Sequence, residues 1–133
     1  MSVVLRTCGA GVLLVLAGCR LGPQPGKFRP ATQTTGISAT ATTPSQTVTG
    51  ELLELRDSAL VVLGAQLMLV PVRLIDSATF SDTRVRMYKG FPLTFPQREQ
   101  LRLLSRYPYG MPEGVQAKLL TSRSQAAIVV IDR

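Results

Sequence analysis

The chain reads as an α+β protein: a small bent antiparallel β-sheet, or a partial barrel, followed by two short helices and a candidate C-terminal strand. Three observations lead there. Residues 48–90 hold short runs of β-branched and aliphatic residues broken at close intervals by Gly, Pro, Asp and Ser. Residues 94–122 instead place Leu at helical spacing behind a capping sequence. Ahead of both lie an apolar leader and a stretch too polar to fold by itself. The expected organisation is a leader over 1–18, a disordered tether over 19–47 and one globular α+β domain over 48–133. That domain is β-rich over 48–90 and helical over 94–133, with a last strand at 126–131.

The leader begins weakly positive, with the free amine and Arg6. Thr7 to Cys19 is uncharged and rich in Leu, Val, Gly and Ala. At 13 residues the run falls short of the roughly 20 apolar residues a membrane-spanning helix needs. A short apolar segment ending in small residues, here Ala17 and Gly18, has the form of an export signal. The stretch Leu16-Ala17-Gly18-Cys19 resembles the lipobox of bacterial lipoprotein precursors. The resemblance implies that Cys19 carries a diacylglycerol, becomes the first mature residue after cleavage, and holds the chain to a membrane. A single acyl chain binds marginally, whereas each buried CH₂ adds about 0.8 kcal/mol, so two or three chains make a stable anchor. In lipoproteins of enteric bacteria an Asp directly after the lipidated Cys retains the protein at the inner membrane. Arg20 stands there in this chain, so the resemblance favours the periplasmic face of the outer membrane.

Composition bounds the chemistry. The 133 residues include 15 basic and 8 acidic side chains, a net charge of +7, with no Trp and no His. Loss of Arg6 with the leader leaves fourteen basic against eight acidic side chains, +6. Without His, Ser-His-Asp and Cys-His nucleophile systems and zinc sites with His ligands are excluded, and a general base would have to be Asp, Glu, Lys or Tyr. Of the two cysteines, Cys8 lies in the leader and Cys19 at the lipobox. The expected mature chain therefore has no disulfide and rests on its apolar core. No glycine-rich phosphate loop, metal-spaced ligand set or cofactor fingerprint occurs, and no cofactor is expected.

Arg20 to Thr47 is rich in Thr, Gly, Pro, Ser, Ala and Gln, with Phe28 and Ile37 its only large apolar residues. It cannot bury enough surface to offset the entropy of ordering. A flexible segment of that length spans roughly 30 Å, from about 5–6 Å × √n. Val48–Leu55 reads as a first strand, with Gly50 marking a bend or a close backbone approach. Arg56-Asp57-Ser58 is a turn. Ala59–Leu63 is a nearly continuous apolar strand, Gly64-Ala65 a tight connection, and Gln66–Val70 the return strand that Pro71 ends. Val72–Phe80 holds a turn and another strand. Arg84–Tyr88 alternates basic and apolar, the pattern of a half-exposed edge strand. Gly50-Glu51-Leu52, Asp57 and Leu60-Val61-Val62-Leu63 are similar to the first motif of Sm-like and SH3-like small barrels. The paired glycine-rich second motif with which those families bind RNA is missing, so the resemblance carries the fold and not nucleic-acid binding.

Thr94-Phe95-Pro96-Gln97 fits a capping box. Leu101, Leu104 and Tyr107 or Pro108 share a helix face, and Pro108-Tyr109-Gly110 ends the helix. Pro112 opens a second short helix to about Ser122, with Val115 and Leu119 four apart. Ala126–Ile131 is uncharged and β-branched, a strand that joins the sheet or offers an edge to a partner.

Three constellations are candidates for function. Arg98, Arg102 and Arg106 recur every four residues, one helical face able to contact an anionic lipid or envelope polymer at about 1 kcal/mol per cation near a surface; the alternative is a solvated face. Glu51, Glu54 and Asp57 form an acidic group that acid–base catalysis would require to differ in pKa; the alternative is again a solvated face. Tyr107-Pro108-Tyr109-Gly110 is either an exposed aromatic contact or a turn packed on the domain. The expected protein is a non-catalytic, lipid-anchored envelope module that touches a membrane through Cys19 and docks on an envelope protein. Competing readings are a small envelope hydrolase using carboxylates, a module binding anionic polymers through the basic helix, and a cytoplasmic nucleic-acid-binding barrel. A deep pocket with converging carboxylates would favour the first; recovery with membranes that neither salt nor carbonate reverses would remove the last.

Overall fold

The computed structural model describes residues 34–133. Leader, lipobox and the first part of the tether lie outside the described residues. Seven strands form one open, mixed sheet: β1 (Ser38–Thr42), β2 (Thr47–Leu55), β3 (Ala59–Leu63), β4 (Leu67–Pro71), β5 (Ser77–Phe80), β6 (Arg86–Tyr88) and β7 (Val129–Val130). Their order across the sheet is β6-β5-β1-β2-β3-β4-β7, and all pairs are antiparallel except β4 with β7. Helices α1 (Phe95–Leu104) and α2 (Val115–Ser122) lie between β6 and β7 in the chain, and a 3-10 turn at Val72–Leu74 joins β4 to β5. The fold is therefore α+β, and the sheet stays unclosed rather than forming a barrel.

The sheet starts earlier than expected. β1 falls inside the segment expected to be tether, and it is not peripheral: it pairs with β2 on one side and β5 on the other. Ala39 and Ala41 are fully buried there, facing the same side as Val48, Ala78 and Phe80. Two small side chains suffice because cross-strand neighbours cover them, which composition alone does not reveal. The described fold thus already includes residues 36–47, ahead of the expected start at Val48.

Two apolar clusters account for the strand patterns. The first joins Ala39, Ala41, Leu52, Leu60, Val62, Val70, Ala78, Phe80 and Met87, and Leu101 of α1 closes it. The second lies on the opposite face of β2–β4 and joins Leu53, Val61, Leu67 and Tyr107, with Val115, Leu119 and Leu120 of α2 packed against it. Strand β3 is covered on both faces, and for that reason Ala59–Leu63 is apolar throughout. Strands β1, β5 and the start of β2 are covered on one face only. Their other face carries Thr40, Thr42, Thr47, Thr49, Ser77 and Thr79, brought side by side by the pairing register.

Local geometry follows the chemistry of particular residues. A Cβ on Gly50 would run into the Leu63 carbonyl and lie 2.7 Å from the Gly64 nitrogen, so the glycine permits close approach of two strands. A bulge between Leu52 and Glu54 shifts the β2–β3 register. Strand alternation sends the consecutive residues Leu52 and Leu53 to opposite faces and so into different clusters. α1 has the expected capping box, Thr94 to Gln97. α2 begins three residues after Pro112, behind Gly114 at φ 78°. Gln125 fastens the end of this region to β4: its side-chain amide accepts from Leu67 N at 2.6 Å and donates to Leu67 O at 3.2 Å. β7, shorter than the expected 126–131 strand, then continues along β4.

Candidate functional site

The arginines and carboxylates singled out in the sequence meet each other. α1 starts at its cap and ends at Leu104, because Ser105 turns into an extended conformation (ψ 159°) and its hydroxyl donates to the Arg102 carbonyl at 2.6 Å. The helical row therefore holds Arg98 and Arg102, while Arg106 lies beyond the helix, in the bend that follows it. Backbone bonds dock that segment on the bulge of β2: Arg106 N donates to Leu52 O at 3.0 Å and Tyr107 N to Leu53 O at 2.8 Å.

Each guanidinium then finds a partner within the domain. Arg98 reaches the Asp57 carboxylate and its backbone carbonyl, all at 3.4 Å, in the β2–β3 turn. Arg102 grips Glu99 through two bonds, 3.0 and 2.6 Å, donates to the Pro108 carbonyl at 2.9 Å and lies 4.9 Å from the centre of the Tyr109 ring. Arg106 faces Glu51 at 3.5 Å and lies 5.7 Å from the centre of the Tyr107 ring. Glu54 pairs with Arg56 at 3.3 Å. The two-pronged bond from Arg102 holds the Glu99 carboxyl below its ordinary value against partial desolvation, with the charges of Arg102 and Arg98 adding to the effect. The same bond raises Arg102.

This arrangement is a brace. It ties α1 and the Tyr107 loop to β2 and the turn after it. Exposed pairs of this kind contribute about 0–1 kcal/mol each, and Asp57 is fully exposed, so the brace orients more than it stabilises. The guanidinium faces that an anionic ligand would need are already turned toward carboxylates and carbonyls. Glu51, Glu54 and Asp57 likewise each face a guanidinium. Glu51 also accepts from Gly36 N at 2.6 Å and so pins the entry of the chain into the domain. The Tyr107-Pro108-Tyr109-Gly110 turn divides its rings, with Tyr107 buried in the second cluster and Tyr109 exposed beside Arg102.

Sequence reasoning passed over the end of the molecule near β6. Tyr88 and Phe91 bridge there, and Phe91, in the loop leading into α1, and Phe95, at the first position of α1, are 75% and 76% exposed. An open groove of 230 Å³ beside them is lined by Val72, Ile75, Met87 and Pro92 and rimmed by Arg73 and Lys89. A neighbouring hollow shares Arg73 and Lys89 and adds Arg133. The signal in the sequence was three aromatics within eight residues, Tyr88, Phe91 and Phe95, around Lys89-Gly90 and Pro92. Tyr88 read as the end of an edge strand and Phe95 as part of the capping box, and neither as surface.

Among the described residues no group of three or more His, Cys, Asp or Glu is placed to hold a metal ion, and no helix is long and apolar enough to cross a membrane. Cys19 lies outside the described residues. Compared with known proteins, the chain matches no family model, no curated protein and no solved structure.

Proposed function

We propose that this chain is a lipid-anchored lipoprotein of the bacterial cell envelope whose folded domain is a non-catalytic interaction module. The observation that carries the reading is Leu16-Ala17-Gly18-Cys19 at the end of a short uncharged apolar run. Cys19 takes the lipid, residues 20–35 connect it to the domain, and the domain works close to the membrane. Arg20 after the cysteine favours the periplasmic face of the outer membrane. What supports binding over catalysis is the state of the ionisable groups: the carboxylates of β2 and its turn are engaged by arginines, and the grooves described above are open.

The test of the anchor is metabolic labelling with radioactive palmitate. Label is expected in the wild-type chain and lost to background in Cys19→Ser. Label retained by Cys19→Ser removes the proposal. Crosslinking in intact cells, read by mass spectrometry, then identifies the envelope partner.

A further inference from the structure

We propose that the Tyr88–Phe95 end of the domain docks on the membrane surface itself, seating Phe91 and Phe95 among anionic lipid headgroups while Arg73 and Lys89 face the phosphates. The inference rests on the lipid anchor only for its geometry. Phe91 and Phe95 have no polar atom with which to satisfy water, yet three-quarters of each is exposed. They stand four positions apart in the chain, so their Cα atoms lie within about 14 Å. Tyr88, 54% exposed, stands beside Phe91. Aromatic side chains at such density, with a polar tip on one of them, suit the headgroup region, where an apolar body and a wet edge are satisfied together.

Charge selects the lipid. Arg73 and Lys89 rim the groove next to these rings, and Arg133 extends the cationic end. Lys89 is balanced in part by Asp76 at 3.5 Å, whereas Arg73 and Arg133 make no ion pair among the described residues. Contrast the arginines of the brace, which are already committed to carboxylates. Arg84, Arg86, Lys118 and Arg123 also make no ion pair among the described residues; what distinguishes this end is that Arg73 and Lys89 line the groove together with Tyr88 and Phe91. Such cations gain about 1 kcal/mol each near an anionic surface.

The anchor supplies the rest. The chain enters the sheet at Gly36, and β1 runs from there toward Thr42, which shares β5 with the Tyr88 pairing: Thr42 pairs with Ser77, and Ser77 with Tyr88. The aromatic end thus lies the length of β1 from the point of entry. Sixteen connecting residues reach up to roughly 55 Å when extended, several times the roughly 17 Å of a five-residue strand. Tethered at this range, a weak surface affinity is enough to hold the domain down.

The absence of Trp from the chain permits a direct test. Full-length lipidated protein carrying Phe91→Trp is reconstituted into neutral vesicles and into vesicles containing phosphatidylglycerol, with Ala117→Trp on the exposed side of α2 as the reference. Flotation on neutral vesicles reads the anchor. Emission and quenching by lipids brominated near the headgroup read the docking. The expected result is blue-shifted, bromine-quenched emission from Phe91→Trp in anionic vesicles only, reversed by salt, with Ala117→Trp unaffected. Adding Arg73→Gln and Lys89→Gln lowers the docked-to-free ratio roughly thirtyfold. Emission that stays solvent-like in anionic vesicles overturns the proposal. So does a blue shift without bromine quenching, which would mean that a segment of this chain or a second copy covers the rings. Failure to float on neutral vesicles would count against the anchor alone, since quenching in concentrated anionic vesicles still reads the aromatic end.

Discussion

Glu51 joins two distant segments of the domain. Its carboxylate accepts from Gly36 N at 2.6 Å and meets Arg106 at 3.5 Å, so one residue of β2 holds both the incoming chain and the segment after α1. Gly36 is confined by the same contacts: a Cβ there would collide with the Leu52 carbonyl and sit 2.8 Å from the Arg106 nitrogen. Backbone cannot yield as a flexible side chain can, so Gly36→Ala is expected to cost about 1–3 kcal/mol, as overpacking does. Urea unfolding of both proteins checks this; equal midpoints would contradict the close approach. Glu99 gives a pH prediction. Its carboxyl is held below the ordinary value of 4.5 by the bond from Arg102. A depressed carboxylate adds stability above its unfolded value, and that stability is lost as pH falls through the folded value. In a carboxyl-detected NMR titration, Glu99 should titrate below 4.5 and move up toward it in Arg102→Ala. A Glu99 midpoint that ignores Arg102 would contradict the pairing.

At the scale of elements, the boundaries that local chemistry sets were legible and those set by distant neighbours were not. Ala59–Leu63 and the Thr94 cap emerge at the expected residues, because a both-faced apolar run and a capping box act within a few positions. β1 did not. Ser38-Ala39-Thr40-Ala41-Thr42 has the two-residue alternation of a strand, but alanine buries too little to announce a core. Only Val48, Ala78 and Phe80 alongside make those positions interior. The arginine row was legible as spacing and not as chemistry, since Asp57 and Glu51 lie 41 and 55 positions from their partners Arg98 and Arg106. The cap itself offers a quantitative check. Thr94→Ala removes the hydroxyl that accepts from Gln97 N and should cost about 0.5–2 kcal/mol. Unchanged thermal unfolding would mean that α1 is held by Leu101 and its packing alone.

For the whole molecule, the position of β1 sets what can fold. A chain beginning at Val48 leaves β2 and β5 without the strand between them. It exposes Ala78, Phe80 and Val48 and is expected not to unfold cooperatively, whereas one beginning at Thr34 is. Circular dichroism melts of the two separate these outcomes, and a cooperative melt of the shorter chain would refute the central placement of β1. The same architecture gives the molecule distinct surfaces: a hydroxyl-lined sheet face, a braced flank where charges are satisfied, and an aromatic, cationic end. The proposed use of these surfaces rests on the lipid anchor proposed at Cys19. The most direct measurement is the intact mass of the chain purified from membranes. The expected mass is that of 115 residues beginning at Cys19 plus a diacylglycerol, with or without a further acyl chain. A chain that keeps Met1, carries no added lipid and is recovered without membranes would contradict it.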